Sequence, residues 1–433
     1  MMMKKSLRIT LKRWAGLPVI RSLLLFFGVF GPATITAMAD NDAGGVATYS
    51  VAGATLGYPI LFLLLIITVL LAVTQEMGMR LTLVTRRGLA DLIREKYGVK
   101  ISLLIFAALV IANLGTLTVE LAAVKVTSAM LNLPIIPFLI AIILIAGVVV
   151  TRGNYKLTQA IMLITSLFYL SYIVSAVKAQ PDWGMAISNI FWPHGVDFTP
   201  AYMRNFLLIG MGVLGTTITP WGQFFISSFA YDKNIEAGKI IYSQLETYVG
   251  AFLTNFFSFF MVVATAATLF VNHIPLTTGE EAAMAIKPFA GELAGTLFAL
   301  GILNAGFMGL IVVSLCTAYA YAEFFGLQGS LDSNYKQSKP FYMIFILQLV
   351  IATVIVLFPG ISLFKLAITT QTINAIALPL VFYYLIKLSS DKGLMGKHAN
   401  NGFQKWFTVI STVAIFAASL LTLAATFFPN LGR

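Results

Sequence analysis

Apolar runs close to the roughly 20 residues that a membrane crossing needs recur along the whole chain, separated by short polar segments. Eleven such runs predict spanning helices at about 23–50, 54–80, 101–130, 133–151, 157–178, 202–230, 238–272, 292–323, 341–358, 361–387 and 405–428. No polar stretch between them is long enough to build a core of its own, so one transmembrane domain is predicted over 23–433. It follows a basic tail, residues 1–22, with no small-residue cleavage site after it, which reads as a cytoplasmic tail and not a signal peptide. The segment 81–100 contains GLADLIREKYG, the pattern of a short amphipathic helix on the membrane surface. Segments 179–201, 273–291 and 388–404 read as plain connectors.

Two of the runs are interrupted. The first, Gly31 to Tyr58, places Asp40, Asn41 and Asp42 at mid-span before Ala43, Gly44 and Gly45. An Asp at the centre of a membrane helix costs about 2.5–3.5 kcal/mol on insertion scales, so two of them need a compensating partner. In the sixth run, Gly215, Pro220 and Gly222 break the apolar pattern, while Thr216, Thr217, Thr219 and Gln223 supply polar atoms. Pro220 lacks a backbone donor and clashes with the preceding turn, which frees carbonyls there. Breaks in spans one and six make two five-helix repeats, about 23–178 and 202–387. Five is odd, so they run in opposite orientations, with an eleventh helix at 405–428. That is an all-α integral membrane fold with an inverted 5+5 repeat, its binding site at the two breaks.

Charge fixes an expected sidedness. Of the 28 lysines and arginines, 21 fall in the tail and in alternate loops, from Arg80 to Lys100 among others. Lys178, Arg204, Lys287 and Arg433 fall on the opposite side, and Arg21, Lys125 and Lys365 lie in or near spans. The positive-inside rule then predicts a multi-pass protein of the cell membrane, N-terminus in the cytoplasm and C-terminus outside. The formal net charge of +11 is thus spread over loops and does not form a nucleic-acid face. A composition 59% hydrophobic and 10% charged agrees with burial in lipid.

Freed carbonyls, half-helix C-termini and carboxylates attract cations. The available donors are Asp42 and Asp40, Asn41, Thr216, Thr219, Gln223 and backbone oxygens. These are hard oxygen ligands, suited to magnesium, calcium or manganese more than to iron, zinc or copper. All three histidines, His194, His273 and His398, fall in loops, the lone cysteine, Cys316, sits inside an apolar run, and Met38, one turn before Asp42, reads as packing. Asp40 lies about 200° around a helix from Asp42, and unwinding over 41–45 would bring it back. Glu246, Asn255, Asn304, Gln371 and Asn374 are polar residues that either line a vestibule or bond between helices, Glu246 favouring the structural role. Lys125 and Lys365 are expected to snorkel or pair with carboxylates.

The layout GP…D…A-T…GY over Gly31 to Tyr58 resembles the natural resistance-associated macrophage protein family (NRAMP), whose members transport transition metals with a LeuT-type fold. In that resemblance Asp42 takes the family aspartate, and Ala43, Gly44 and Gly45 stand where the family has Pro, Gly and Asn. Gly215, Thr216, Thr217, Ile218, Thr219, Pro220 and Trp221 match G-A-x-x-M-P-H, so Thr219 replaces the soft-metal methionine and Trp221 the histidine associated with proton movement. Of the family's acidic pair only Glu120 is kept, with Ala123 at the other position, and an earlier family glutamate is Asn113. The ninth span has no basic residue after Lys339, where the family usually has arginines. Gln371 matches a polar position of the family's tenth span. These departures are similar to those of the NRAMP-related magnesium transporters.

The expectation is a monomeric importer of Mg²⁺, also of Mn²⁺, not coupled to protons. The metal is cargo and no cofactor is expected. The partners are divalent cations and the lipid bilayer, not nucleic acid. The metal residues would be Asp42, Gly45, Thr216, Thr219 and Gln223, with Asp40, Asn41, Trp221, Glu120 and Gln371 around them or along the pathway; Gly45 would leave room for a hydrated ion and Trp221 would form a wall. One alternative is a proton-coupled Mn²⁺/Fe²⁺ symporter using Asp42 and Glu120, and another an amino-acid or amine transporter of the same architecture. No span carries a nucleophile–base pair or a His/Cys cluster, so an enzyme is not expected.

Overall fold

The computed structural model describes residues 31–284, 294–333 and 335–427; the tail 1–22, the start of the first span at 23–30, Lys287 and Arg433 lie outside the described residues. The first span is two helices, α1 (Pro32–Ala39) and α2 (Ala43–Leu56). Then come α3 (Ile60–Thr85), α4 (Leu89–Met130), α5 (Ile135–Arg152), α6 (Tyr155–Lys178) and a short α7 (Trp183–Phe191). The sixth span is again two helices, α8 (Pro200–Thr217) and α9 (Pro220–Asp232). After it come α10 (Ile240–Phe270), α11 (Gly279–Met284), α12 (Ala294–Phe325), α13 (Lys339–Val356), α14 (Leu363–Ser389), α15 (Lys392–Met395) and α16 (Gly402–Phe427). Among the described residues nine helices are unbroken, long and apolar enough to cross a membrane, and the two interrupted spans add to them.

Local chemistry sets most boundaries. Asn154, Asp182 and Thr199 cap α6, α7 and α8 through side-chain oxygens that accept N–H bonds from Leu157, Met185 and Tyr202. The expected surface helix and third span are one continuous run in α4, broken only at Gly98, whose φ of +80° suits glycine. The expected connectors at 179–201, 273–291 and 388–404 each contain a short helix, α7, α11 and α15. The Lys125 ammonium donates to the Val356 carbonyl at the end of α13, where a cation meets the negative helix pole.

Corresponding helices of the two halves pack on one another. The third span, α4, lies against the eighth, α12, and the second, α3, against the seventh, α10. The second also lies on α9, and the seventh on α2, the equivalent partner in the other half. Hydrogen bonds bring the basic loops to one face: Arg80 reaches Asn400, Arg86 the Ile235 carbonyl, Asp232 accepts from Ser330 and Leu331, and Asp332 accepts from Tyr155. The opposite face joins Tyr202 to the Leu56 carbonyl and Arg204 to the Ala425 carbonyl. The broken spans cross between these faces, α2 packed on α8 and α1 beside α9.

Candidate metal centre

The first break is only three residues long. The amides of Asp40, Asn41 and Asp42 donate to the carbonyls of Ala37, Met38 and Ala39 at 3.2, 3.1 and 3.0 Å, so α1 ends in a tightened turn. Asp42 then turns extended (ψ −178°) and caps α2, its Oδ1 accepting from Gly45 N at 2.7 Å. The expected unwinding over 41–45 is therefore displaced: Gly44 and Gly45 form the first turn of α2. Their lack of a Cβ serves close approach. A Cβ on Gly45 would collide with the Asp40 carbonyl oxygen and sit 3.4 Å from Thr216 Oγ1, and one on Gly44 would lie 2.5 Å from Gln371 Nε2 and 3.2 Å from Asp42 Oδ1. The room at Gly45 is thus filled by a backbone oxygen turned inward.

Glu120 completes the start of α2. Its carboxylate accepts from the amides of Ala43 (3.0 Å) and Gly44 (3.3 Å), an anion at a positive helix pole, and it lies beside the Asp42 carboxyl. Gly309 of α12 makes this possible, since a Cβ there would stand 2.6 Å from the Glu120 carboxyl carbon. Asn41 faces the other way. Its amide donates to Thr254 Oγ1 (2.8 Å) and the Thr254 carbonyl (3.1 Å) and accepts from Ser258 Oγ (2.9 Å), so it is committed to α10.

In the second break Ile218 and Thr219 are extended, and Pro220 opens α9, where a missing N–H costs nothing. Thr219 Oγ1 accepts from Gly222 N at 2.9 Å as the cap. Thr217 is bonded to Tyr49 Oη at 2.7 Å and to the Val213 carbonyl. Thr216 Oγ1, by contrast, is buried with no protein partner. Gly215 lets α8 press on α14, because any side chain would strike the Gln371 carbonyl.

The two breaks face each other across Gly45 and Gly222. A Cβ on Gly222 would lie 2.8 Å from Thr219 Oγ1 and 3.8 Å from Asp40 Oδ1, so the Asp40 carboxylate points toward the start of α9. Both Asp40 oxygens are buried and without a protein partner, as are both polar atoms of the Gln223 amide, Trp221 Nε1 and Gln371 Nε2. Buried polar atoms are normally bonded, and of these Asp40 Oδ1 stands by Gly222 and Gln371 Nε2 by Gly44, with Thr216 Oγ1 by Gly45, so several unpartnered polar atoms border the breaks. Asp40, Asp42, Thr216 and Thr219 are each at most 2% exposed, so the facing breaks are buried. Among the described residues no three His, Cys, Asp or Glu side chains gather to hold a metal.

Of the residues singled out in the sequence, Asp40, Asp42, Gly45, Thr216 and Thr219 meet at the breaks, and Glu120 and Gln371 flank α2. Trp221 is fully buried, its carbonyl accepting from Cys316 Sγ and its ring edge-on to Phe225. Glu246 caps α1, accepting from Gly31 N (2.6 Å) and Thr34 N (3.1 Å). Asn304 bonds the Thr165 carbonyl, and Asn374 bonds Thr116 and Gln371. Thr254, Ser258 and Gly309 were not legible as supports of the break. Their only signal is a small or hydroxylated residue in an apolar run.

Two interrupted helices facing each other inside an inverted repeat, with orphaned polar atoms between them, define a membrane transporter of the LeuT-type fold. A Na⁺-coupled sialic acid symporter in a substrate-bound outward-open state shares this fold at a TM-score of 0.59 and 11% identity, over 93% of this chain and 90% of that one. The manganese transporter of Eremococcus coleocola, in complex with an aromatic bis-isothiourea compound, gives 0.76 at 18% identity, over 94% and 88% of the two chains. The sequence profile of the natural resistance-associated macrophage protein-like family matches residues 33–425, and the chain belongs to that family. A relative, the divalent metal cation transporter MntH of Verminephrobacter eiseniae, is 24% identical over 426 residues, covering 94% of this chain and 90% of its own length.

Proposed function

We propose that the chain imports a divalent metal cation, Mg²⁺ foremost and Mn²⁺ as well, down the membrane potential without obligatory proton coupling, as the NRAMP-related magnesium transporters do. What supports this reading is the kind of donor near the glycines of the two breaks, the Asp40 and Asp42 carboxylates, the Thr216 hydroxyl and the Asp40 carbonyl, with Thr219 capping α9 where a soft sulfur would favour transition metals. Asp42 serves as the charged anchor, Thr216, Thr219 and Gln223 as oxygen or water-mediated ligands, and the unpartnered Asp40 carboxylate joins them. Family membership, and a relative named as a divalent metal cation transporter, support metal as the cargo class. Two charges falling through about 100 mV release about 4.6 kcal/mol, enough for roughly a thousandfold accumulation without a co-transported ion.

The chain acts as one transporter domain from residue 23 onward, monomeric, in the cell membrane, with the basic loop face and N-terminus cytoplasmic and the C-terminus outside. A second reading, proton-coupled Mn²⁺ or Fe²⁺ import, draws on the contact between the Asp42 and Glu120 carboxyls and on the manganese transport named for a structural neighbour. Proteoliposomes with a pH dye inside separate the two. Under an inside-negative potential clamped by ionophore, Mg²⁺ uptake with unchanged lumenal pH is expected, and metal-dependent acidification would overturn the uncoupled reading.

A further inference from the structure

Outside the transport path, the basic face carries a groove of about 680 Å³ between the surface part of α4, the end of α14 and the start of α16. Three ammonium groups stand at its rim, Lys96, Lys387 and Lys405, against a single carboxylate, Asp391, which pairs with Lys96. The other two lysines are held over aromatic rings, Lys387 Nζ 5.8 Å from the Tyr383 ring centre and Lys405 Nζ 5.9 Å from that of Trp406. Below the rim the wall turns apolar, with Ile386, Val409 and Val413. Val413 also belongs to the exposed apolar side of α16, where Trp406, Ile410 and Val413 are all more than 60% exposed, a surface that faces lipid in a membrane.

We infer that this groove is a binding site for one anionic phospholipid, its phosphate among Lys96, Lys387 and Lys405 and an acyl chain along Val409 and Val413. Charge complementarity selects the head, since the rim keeps a positive excess after the Lys96–Asp391 pair is counted. The apolar continuation selects a lipid over a soluble phosphate, because a free anion would gain nothing from the lower wall. The site joins three elements distant in sequence, so a lipid seated there ties the eleventh helix to the tenth and to the surface helix.

The test uses the full chain purified in detergent, with native mass spectrometry reading retention of phosphatidylglycerol against phosphatidylcholine. Wild type should retain phosphatidylglycerol preferentially, K387Q/K405Q should lose about fivefold in that preference per lysine removed, and K387R/K405R should restore it. Each variant is compared as the monodisperse fraction, so a folding failure is seen separately. Equal retention of the two lipids by wild type, or unchanged preference in K387Q/K405Q, would overturn the site. So would competition by millimolar inorganic phosphate that removes the preference entirely, since the groove would then hold only an anion.

Discussion

Asp42 has two tasks that substitution can separate. Its Oδ1 caps α2 at Gly45 N, and in the proposed function its charge anchors the ion. Asparagine caps as well as aspartate does, so Asp42→Asn should melt near wild type yet weaken Mg²⁺ binding about tenfold or more. Asp42→Ala should add a loss of about 0.5–2 kcal/mol from the missing cap. Calorimetric titration with Mg²⁺ and thermal melts of both variants check this; equal Mg²⁺ affinity in all three proteins would remove Asp42 from the site. The place of Asp42 at a helix break was legible because a carboxylate beside glycines inside an apolar run has few explanations. The direction of Asn41 was not, because its partners Thr254 and Ser258 stand more than 200 residues away and look like ordinary helix residues. The same holds for Asp40, whose carboxylate direction is set by how tightly the turn closes after Ala39.

At the level of elements, the half-helices depend on caps borrowed from other spans. α1 has no side-chain cap of its own, and Glu246 of α10 supplies the acceptor for Gly31 and Thr34. Glu246→Ala should cost about 1–3 kcal/mol by leaving two buried amides unsatisfied, while Glu246→Gln, which keeps a carbonyl acceptor, should cost less; denaturant or thermal unfolding in detergent ranks the two. The existence of both broken spans followed from the sequence because Gly, Pro and acidic residues disrupt an apolar period visibly. The position of the break did not. Glycines at 44 and 45 suggest unwinding by propensity, yet Glu120 and Asp42 satisfy the first amides of α2 and so stabilise helix through the glycines.

Across the whole molecule, a buried polar knot on the basic face fastens the eleventh helix to the repeats. Arg80 pairs with Glu76 at 2.7 Å and also reaches the His398 carbonyl, Asn400 and Gln404, while Gln244 and Gln404 both donate to Glu76. Removing one partner strands a buried charge, so Arg80→Ala should cost about 3–5 kcal/mol in a thermal melt, whereas E76M/R80M should recover most of that loss. Recovery absent in the double variant would mean that the knot acts through its neutral bonds. Arg80 was legible only as a loop-side basic residue; Glu76, four residues earlier, gains meaning from α16 and α10 arriving beside it. α10 has one more consequence. Glu246 holds the head of α1, Gly250 sits against Ala33, Thr34 and Ala37, and Thr254 and Ser258 grip Asn41 at its tail. The eight-residue rod of α1, about 12 Å long, is therefore splinted along its full length. In the proposed transport cycle, a motion of α1 that keeps these bonds carries α10 with it, and because α10 also packs on α2, the joint at Asp40 to Asp42 turns only as far as that second contact slides.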